Sequence, residues 1–109
     1  MDLSFETIAL RKICSITRYA EKKYGIYVTR SLHTRLEDLR AANTLDDLPA
    51  ELVVNPDPND PLNFHTPLKG DYILKFQPQK LGIHTGDSSV VVLSEVYRIK
   101  LLAIEKIND

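Results

Sequence analysis

The chain has 109 residues, the size of one domain covering residues 1–109, and is long enough to bury a single core without disulfide or metal staples. Hydrophobic residues make up 43% of it, and no apolar run reaches the roughly 18 residues of a membrane-spanning helix. The formal net charge of −1 excludes a protein that coats nucleic acid by bulk electrostatics. Charge is unevenly spread, however. Residues 1–40 carry eight Lys/Arg against five Asp/Glu, whereas residues 41–66 carry five acids and no base. Asp2–Phe5 alternates polar and apolar residues and predicts a short first strand. Thr7 predicts the N-cap of a helix over Ile8–Tyr24, with Leu10, Ile13, Cys14, Ala20 and Tyr24 as its apolar positions and Ile16 and Tyr19 beside them. Gly25 is expected to stop it, after Lys22 and Lys23 in the last turn. A second helix is predicted over Val28–Ala42, with Val28, Leu32, Leu36 and Leu39 as one stripe. The short link between them would make the two helices an antiparallel hairpin.

Leu45 and Leu48 are expected to tuck a short turn under a sheet, and the proline-rich Glu51–Asn63 reads as a loop. Phe64–Leu68 reads as extended. Tyr72–Phe76 alternates, with Tyr72, Leu74 and Phe76 on one face and Ile73 and Lys75 on the other. Pro78–Ser88 reads as a polar loop and Ser89–Leu93 as a buried strand. Arg98–Ile107 fits strand or helix spacing, and strand is preferred because a small sheet needs a central member. The pattern is α+β, with helices on one face of a sheet. Cys14 is the only cysteine and lies on the apolar side of its helix, so it reads as a core residue of a protein in a reducing, cytoplasmic location. The opening residues Met1–Glu6 lack the basic and apolar regions of a signal peptide.

Several short pieces occur in a suggestive order: Phe5-Glu-Thr7 with Leu10-Arg-Lys12, Lys22-Lys-Tyr-Gly25, Arg35–Leu48 with its Arg-Leu-x-x-Leu-Arg-Ala-Ala and Thr-Leu-x-x-Leu segments, Leu68-Lys-Gly-Asp71, Tyr72-x-Leu-x-Phe-x-Pro78 and Ala103-Ile-Glu105. In that order and spacing the chain resembles the RelE-fold toxins, in particular the HigB-like "killer protein" branch of bacterial type II toxin–antitoxin systems. The resemblance implies a RelE-like α+β fold, an N-terminal helical hairpin packed on a small, mainly antiparallel β-sheet. It also implies a toxin-like ribosome-dependent mRNA endoribonuclease, with the ribosome, mRNA and a helix-turn-helix antitoxin as partners and no cofactor. The chain departs from the pattern in its acidic balance, since RNA-cutting toxins of this fold are usually basic, and at three further points. Gly70-Asp71 runs directly into Tyr72, so a hairpin strand is deleted or replaced by Phe64–Leu68. Ile73 stands where the family carries an arginine. The chain closes on Lys106-Ile-Asn-Asp109 and not on a tyrosine–histidine pair. These departures favour an alternative, a non-catalytic RelE-fold protein that binds a partner or regulator. An unrelated small α+β interaction domain is the third reading.

RNA cleavage of this kind needs a base, a cationic clamp and an acid held together. Lys69 matches the family's lysine and reads either as a phosphate clamp or as a solvated turn lysine. Tyr72 matches its tyrosine and reads either as catalytic or as core packing. His65 is the candidate acid–base group near neutral pH. Lys75 offers a cation for RNA, or simply faces solvent. Arg35 and Arg40 are the candidate RNA contacts on a helical face that also includes Arg11, Lys12, Arg18, Lys22 and Arg30. That face suits ribosomal RNA, an acidic partner or plain solvent. His33 reads as a surface residue and His84 as a loop residue. Three scattered histidines and one cysteine make no metal motif.

Overall fold

The structure is a computed structural model that describes residues 1–79, 83, 84 and 90–107. Strand β1 is Asp2–Phe5, as the alternation predicts. Thr7 then caps α1 (Ile8–Ser15): its backbone is extended and its Oγ1 accepts from the Leu10 N–H at 3.0 Å. The expected single helix is in fact two. Helix α1 ends at Ile16, whose backbone leaves the helical region (φ −118°, ψ 103°), and α2 runs over Thr17–Tyr24. The reason lies in the phase of the apolar stripe. Leu10 and Cys14 are buried on one line of α1, and an unbroken helix would continue that line through Thr17, Arg18 and Glu21, all polar. The break at Ile16 re-phases the chain so that Ala20 is fully buried and Tyr24 half-buried one turn later.

Gly25 does stop α2, and with φ +85° it also opens α3 (Ile26–Ala41) directly. The link is therefore the single residue Gly25. Periodicity missed the first turn of α3 because Ile26 and Tyr27 are exposed and add nothing to the buried stripe of Val28, Leu32, Leu36 and Leu39. The Thr29 N–H and hydroxyl both bond the Gly25 carbonyl, at 3.1 and 2.7 Å. At the other end of α3 the Met1 amino group donates to the carbonyls of Leu39, Arg40 and Ala42, a cation on the negative end of the helix.

A 3-10 turn at Leu45–Asp47 buries Leu45 completely and half-buries Leu48, and the Leu45 N–H bonds the Val96 carbonyl at 3.1 Å. The proline-rich loop that follows is ordered by three Asx turns. Asn55, Asp57 and Asp60 each precede a proline, and each accepts from the N–H two residues on, at 3.0, 2.9 and 3.1 Å.

The main sheet has the order β1-β6-β3-β2, with β2 at Phe64–Pro67, β3 at Tyr72–Pro78 and β6 at Arg98–Lys106. It is mixed: β1 pairs parallel with β6, while β6–β3 and β3–β2 are antiparallel. The strand reading of Arg98–Ile107 holds over Arg98–Lys106, and β6 is central. Strand β2 takes the place directly beside β3. A bulge at Leu102 falls where Lys75 faces Ala103 and Phe76 faces Leu101. Two expectations fail between β3 and β6. His84 is not in a loop, because Ile83–His84 forms β4. Its partner β5 is Val90–Val91, in a separate two-stranded ribbon, and the strand expected over Ser89–Leu93 does not reach Leu93, where a 3-10 turn over Leu93–Glu95 begins; Ser89 lies outside the described residues. The rest of the expected Pro78–Ser88 loop beyond Gln79 lies outside the described residues, apart from β4.

One sheet face packs on the helices, joining Leu10, Cys14, Leu32, Leu36 and Leu39 to Phe64, Leu74, Phe76, Ile99 and Leu101. Phe64 and Phe76 face each other in register and stack at 5.8 Å. The outer face is laced by exposed pairs, Asp2–Arg98, Lys75–Glu105 and Glu6–Lys100, at 3.5 to 3.7 Å. Such pairs contribute little each. Cys14 is a core residue, and burial pushes its thiol up to about 11 against the opposing pull of Arg40. Among the described residues no helix is long and apolar enough to cross a membrane.

Thr66 sits on the inner face of β2, 1% exposed, and its Oγ1 has no hydrogen-bond partner among the described residues. Thr66→Val keeps the shape and removes that desolvated hydroxyl. It should raise stability by about 1 kcal/mol in urea unfolding. A loss of stability would mean that the hydroxyl is satisfied in solution.

Candidate functional site

The hairpin between β2 and β3 turns on two residues, Gly70 and Asp71, with φ of +67° and +61°. Consecutive left-handed residues match the twist of paired strands, and glycine and aspartate are among the residues that tolerate them. The turn is also pressed against α3: a Cβ on Gly70 would lie 3.1 Å from Val28 Cγ2. Lys69 is held at this turn, its N–H donating to Ser31 Oγ at 3.0 Å, while Ser31 Oγ donates to the Val28 carbonyl at 2.7 Å. Arg35 closes the other side. Its Nε donates to the Pro67 carbonyl at 3.4 Å and its Nη1 to Asp38 Oδ2 at 2.6 Å.

Between α3 and the turn lies a cleft of ≈ 540 Å³, whose polar lining is Tyr27, Arg30, Ser31, Thr34, Arg35 and Lys69. Three cations converge there, and Asp38 engages only one of them. The lining contains no imidazole and no carboxylate. The arrangement can hold an anion through charge-assisted hydrogen bonds, and exposed Tyr27 offers a ring at its edge.

The six residues singled out from sequence do not gather in one place. Lys69 and Arg35 meet in the cleft. His65 and Lys75 are cross-strand neighbours on the outer face of the sheet, where His65 also bonds Val54 through both backbone groups and Lys75 pairs with Glu105 at 3.5 Å. Tyr72 is on the opposite, helix-facing side with Leu74 and Phe76. Its ring meets Tyr24 edge-on at 5.2 Å, and Lys106 Nζ lies 5.9 Å from its centroid. Arg40 is exposed in the last turn of α3, near Cys14. His33 is half-buried on α3. Among the described residues no group of three His, Cys, Asp or Glu could hold a metal ion.

Sequence reading missed Tyr27, Ser31 and Thr34 as site residues and gave Arg30 only a place on a general basic face. A signal existed. Tyr27, Arg30, Ser31, Thr34, Arg35 and Asp38 are spaced three, one, three, one and three apart, a polar stripe on one line of a helix. Placing the start of α3 at Val28 cut Tyr27 out of it.

Two measurements check this geometry. Gly70→Ala meets both the positive φ and Val28, so it should destabilise the fold by about 1–2 kcal/mol in urea unfolding. A neutral result would mean that the turn does not press on α3. His65 is held below its ordinary value of 6.5, first by burial and second by the Lys75 charge. The unfolded chain therefore binds this proton more readily. The stability tied to His65 is complete above the ordinary range and is lost as pH falls through the lowered value. Lys75→Gln removes the smaller cause. Its His65 midpoint, followed by NMR, should move up and stay below 6.5; an unmoved midpoint would separate the two side chains. No protein-family model matches the chain, and no curated protein and no solved structure matches it.

Proposed function

We propose that the chain is a toxin-like component of a bacterial type II toxin–antitoxin system with a RelE-like fold, and that it acts by binding and not by cutting. In this reading the cleft between α3 and the β2–β3 turn holds the phosphodiester backbone of RNA, a helix-turn-helix antitoxin is the protein partner, and the setting is the cytoplasm. The observation that carries it is the docking of the Lys69 turn onto α3 through Ser31, which puts Lys69, Arg30 and Arg35 around one cleft. That turn is also a piece of the sequence resemblance.

Binding is favoured over cleavage by position. The candidate acid–base group, His65, is on the outer face, and Tyr72 is on the inner face, so a base, a clamp and an acid are not assembled from the residues that the resemblance and the sequence nominate. Lysine and arginine around a cleft bind phosphate without needing a proton acceptor. Exposed Tyr27 supplies a stacking platform for a base next to them.

The test has two arms. Expressed alone in a bacterium, the folded protein should leave growth normal and create no new mRNA 5′ ends. In vitro, a fluorescein-labelled single-stranded RNA 12-mer should bind with an affinity that falls as salt rises. The double variant Arg30→Ala/Lys69→Ala should weaken that binding about 10- to 100-fold, since each hydrogen bond to a charged group contributes about 1.5–3 kcal/mol at most. New in-frame cuts on translated messages, with growth arrest, would overturn the binding reading in favour of a ribosome-dependent endoribonuclease. Undiminished RNA affinity in the double variant would overturn the cleft.

A further inference from the structure

A second surface lies on α1 and α2, away from the RNA cleft. The break at Ile16 sets two short helices beside each other and leaves a groove of ≈ 460 Å³ lined by Ala9, Lys12, Ile13, Tyr19, Lys22 and Lys23. The six residues form two matching stripes. Ala9, Lys12 and Ile13 are spaced i, i+3 and i+4 on α1, and Tyr19, Lys22 and Lys23 repeat that spacing on α2. Each stripe offers apolar surface and ammonium groups to the same groove. Ile8, 75% exposed, extends the apolar surface at the start of α1, and Tyr19 is 42% exposed.

We propose that this groove docks an acidic amphipathic helical segment of a partner protein, with its apolar stripe against Ile13, Ala9 and the Tyr19 ring and its carboxylates toward Lys12, Lys22 and Lys23. Charge complementarity identifies the occupant. Ile8–Tyr24 carries five bases, Arg11, Lys12, Arg18, Lys22 and Lys23, against one acid, Glu21; the remainder of the chain carries nine bases against fourteen acids. This segment is thus strongly basic, and three of its five bases line the apolar groove. Ridges of helical side chains pack into such grooves, and lysines keep their charged heads at the rim while their stems cover apolar surface. At about 1.5 Å per residue, an eight-residue wall is about 12 Å long, so two to three turns of partner helix fill it.

A second copy of this chain fits less well. Its acidic stretch, Asp46 to Asp60, is a different surface from the groove, so the contact would be head-to-tail and would build rings or open chains in place of a two-fold pair. RNA fits less well too, because the lining contains no arginine and the space between the lysines is apolar.

The probe is a fluorescein-labelled, end-capped 16-residue peptide with Leu at i, i+3, i+4 and i+7 positions and Glu on the flanking lines. Controls are a version with Lys for every Glu and a version with the same composition scrambled. The acidic amphipathic peptide should bind saturably, at least 10-fold more tightly than either control. The Lys12→Glu/Lys22→Glu variant should lose at least 10-fold in affinity, and Tyr19→Ser about 3- to 10-fold. Affinity for the RNA 12-mer should stay within twofold in these variants, so the groove and the RNA reading stand or fall separately. Circular dichroism confirms the variants' folding, and amide shifts in the unsubstituted protein should cluster on residues 9–23 when peptide is added. Equal binding of the control peptides, or shifts elsewhere, would overturn the proposal. So would a concentration-dependent oligomer abolished by the charge reversal, or RNA binding lost with it.

Discussion

The fold depends on one placement: the last strand must arrive between the first and the third. Asp2 pairs with Arg98 and Phe5 with Leu101, so β1 has no partner in the sheet until β6 is in position. Ile99 and Leu101 of β6 are fully buried against the helices, each contributing roughly 1.5–3 kcal/mol. That burial must offset the closure of nearly the whole chain into one loop, a cost that grows only slowly with length. The 3-10 turn at Leu45 bonds Val96 just before β6. Met1 bonds the end of α3 just before β1. Both contacts place the sheet under the helices.

This dependence explains what could be read from residues alone. Local signals were legible where a residue's own chemistry fixes the backbone: Thr7 as a cap, Gly25 as a stop, the Asx-Pro turns and the alternation of β1 and β3. The break at Ile16 was legible in principle, because the buried stripe falls out of phase between Cys14 and Ala20, but neither proline nor glycine marks it. The start of α3 was hidden because Ile26 and Tyr27 are apolar residues left outside the core. The short ribbon of β4 and β5 was hidden for another reason. Two-residue strands are held by tertiary context and carry no period of their own.

The candidate site was legible as residue types and not as a place. Lys69 and Arg35 stand 34 positions apart in sequence and meet only because the Gly70-Asp71 turn docks on α3. His65 and Tyr72 are close in sequence to Lys69, yet strand alternation sends them to opposite faces. Nearness along a strand is a poor guide to a shared site, since each one-residue step reverses the side-chain direction. Nearness along the helix would have served better, because the polar stripe from Tyr27 to Asp38 runs the length of the cleft.

Net charge conceals the same organisation. A chain at −1 contains a cationic cleft beside α3 and a lysine-rimmed groove between α1 and α2, balanced by an acidic stretch that turns away into the Asx-Pro loop. The two cationic surfaces differ in how they are built. In the cleft, Ser31 holds the Lys69 backbone while Pro67 and Asp38 hold the Arg35 guanidinium, so the turn and one guanidinium are placed before a ligand comes. Placing them in advance lowers the ordering cost of binding. In the groove, by contrast, the three lysines are exposed and none of them has a carboxylate partner among the ion pairs of the described residues. Their adaptable stems suit a helical partner whose carboxylates come at spacings set by its own turn. Asp38 completes the contrast. By engaging Arg35 it fixes one guanidinium and lowers the cleft's charge, leaving Arg30 and Lys69 as the lining cations that Asp38 does not engage.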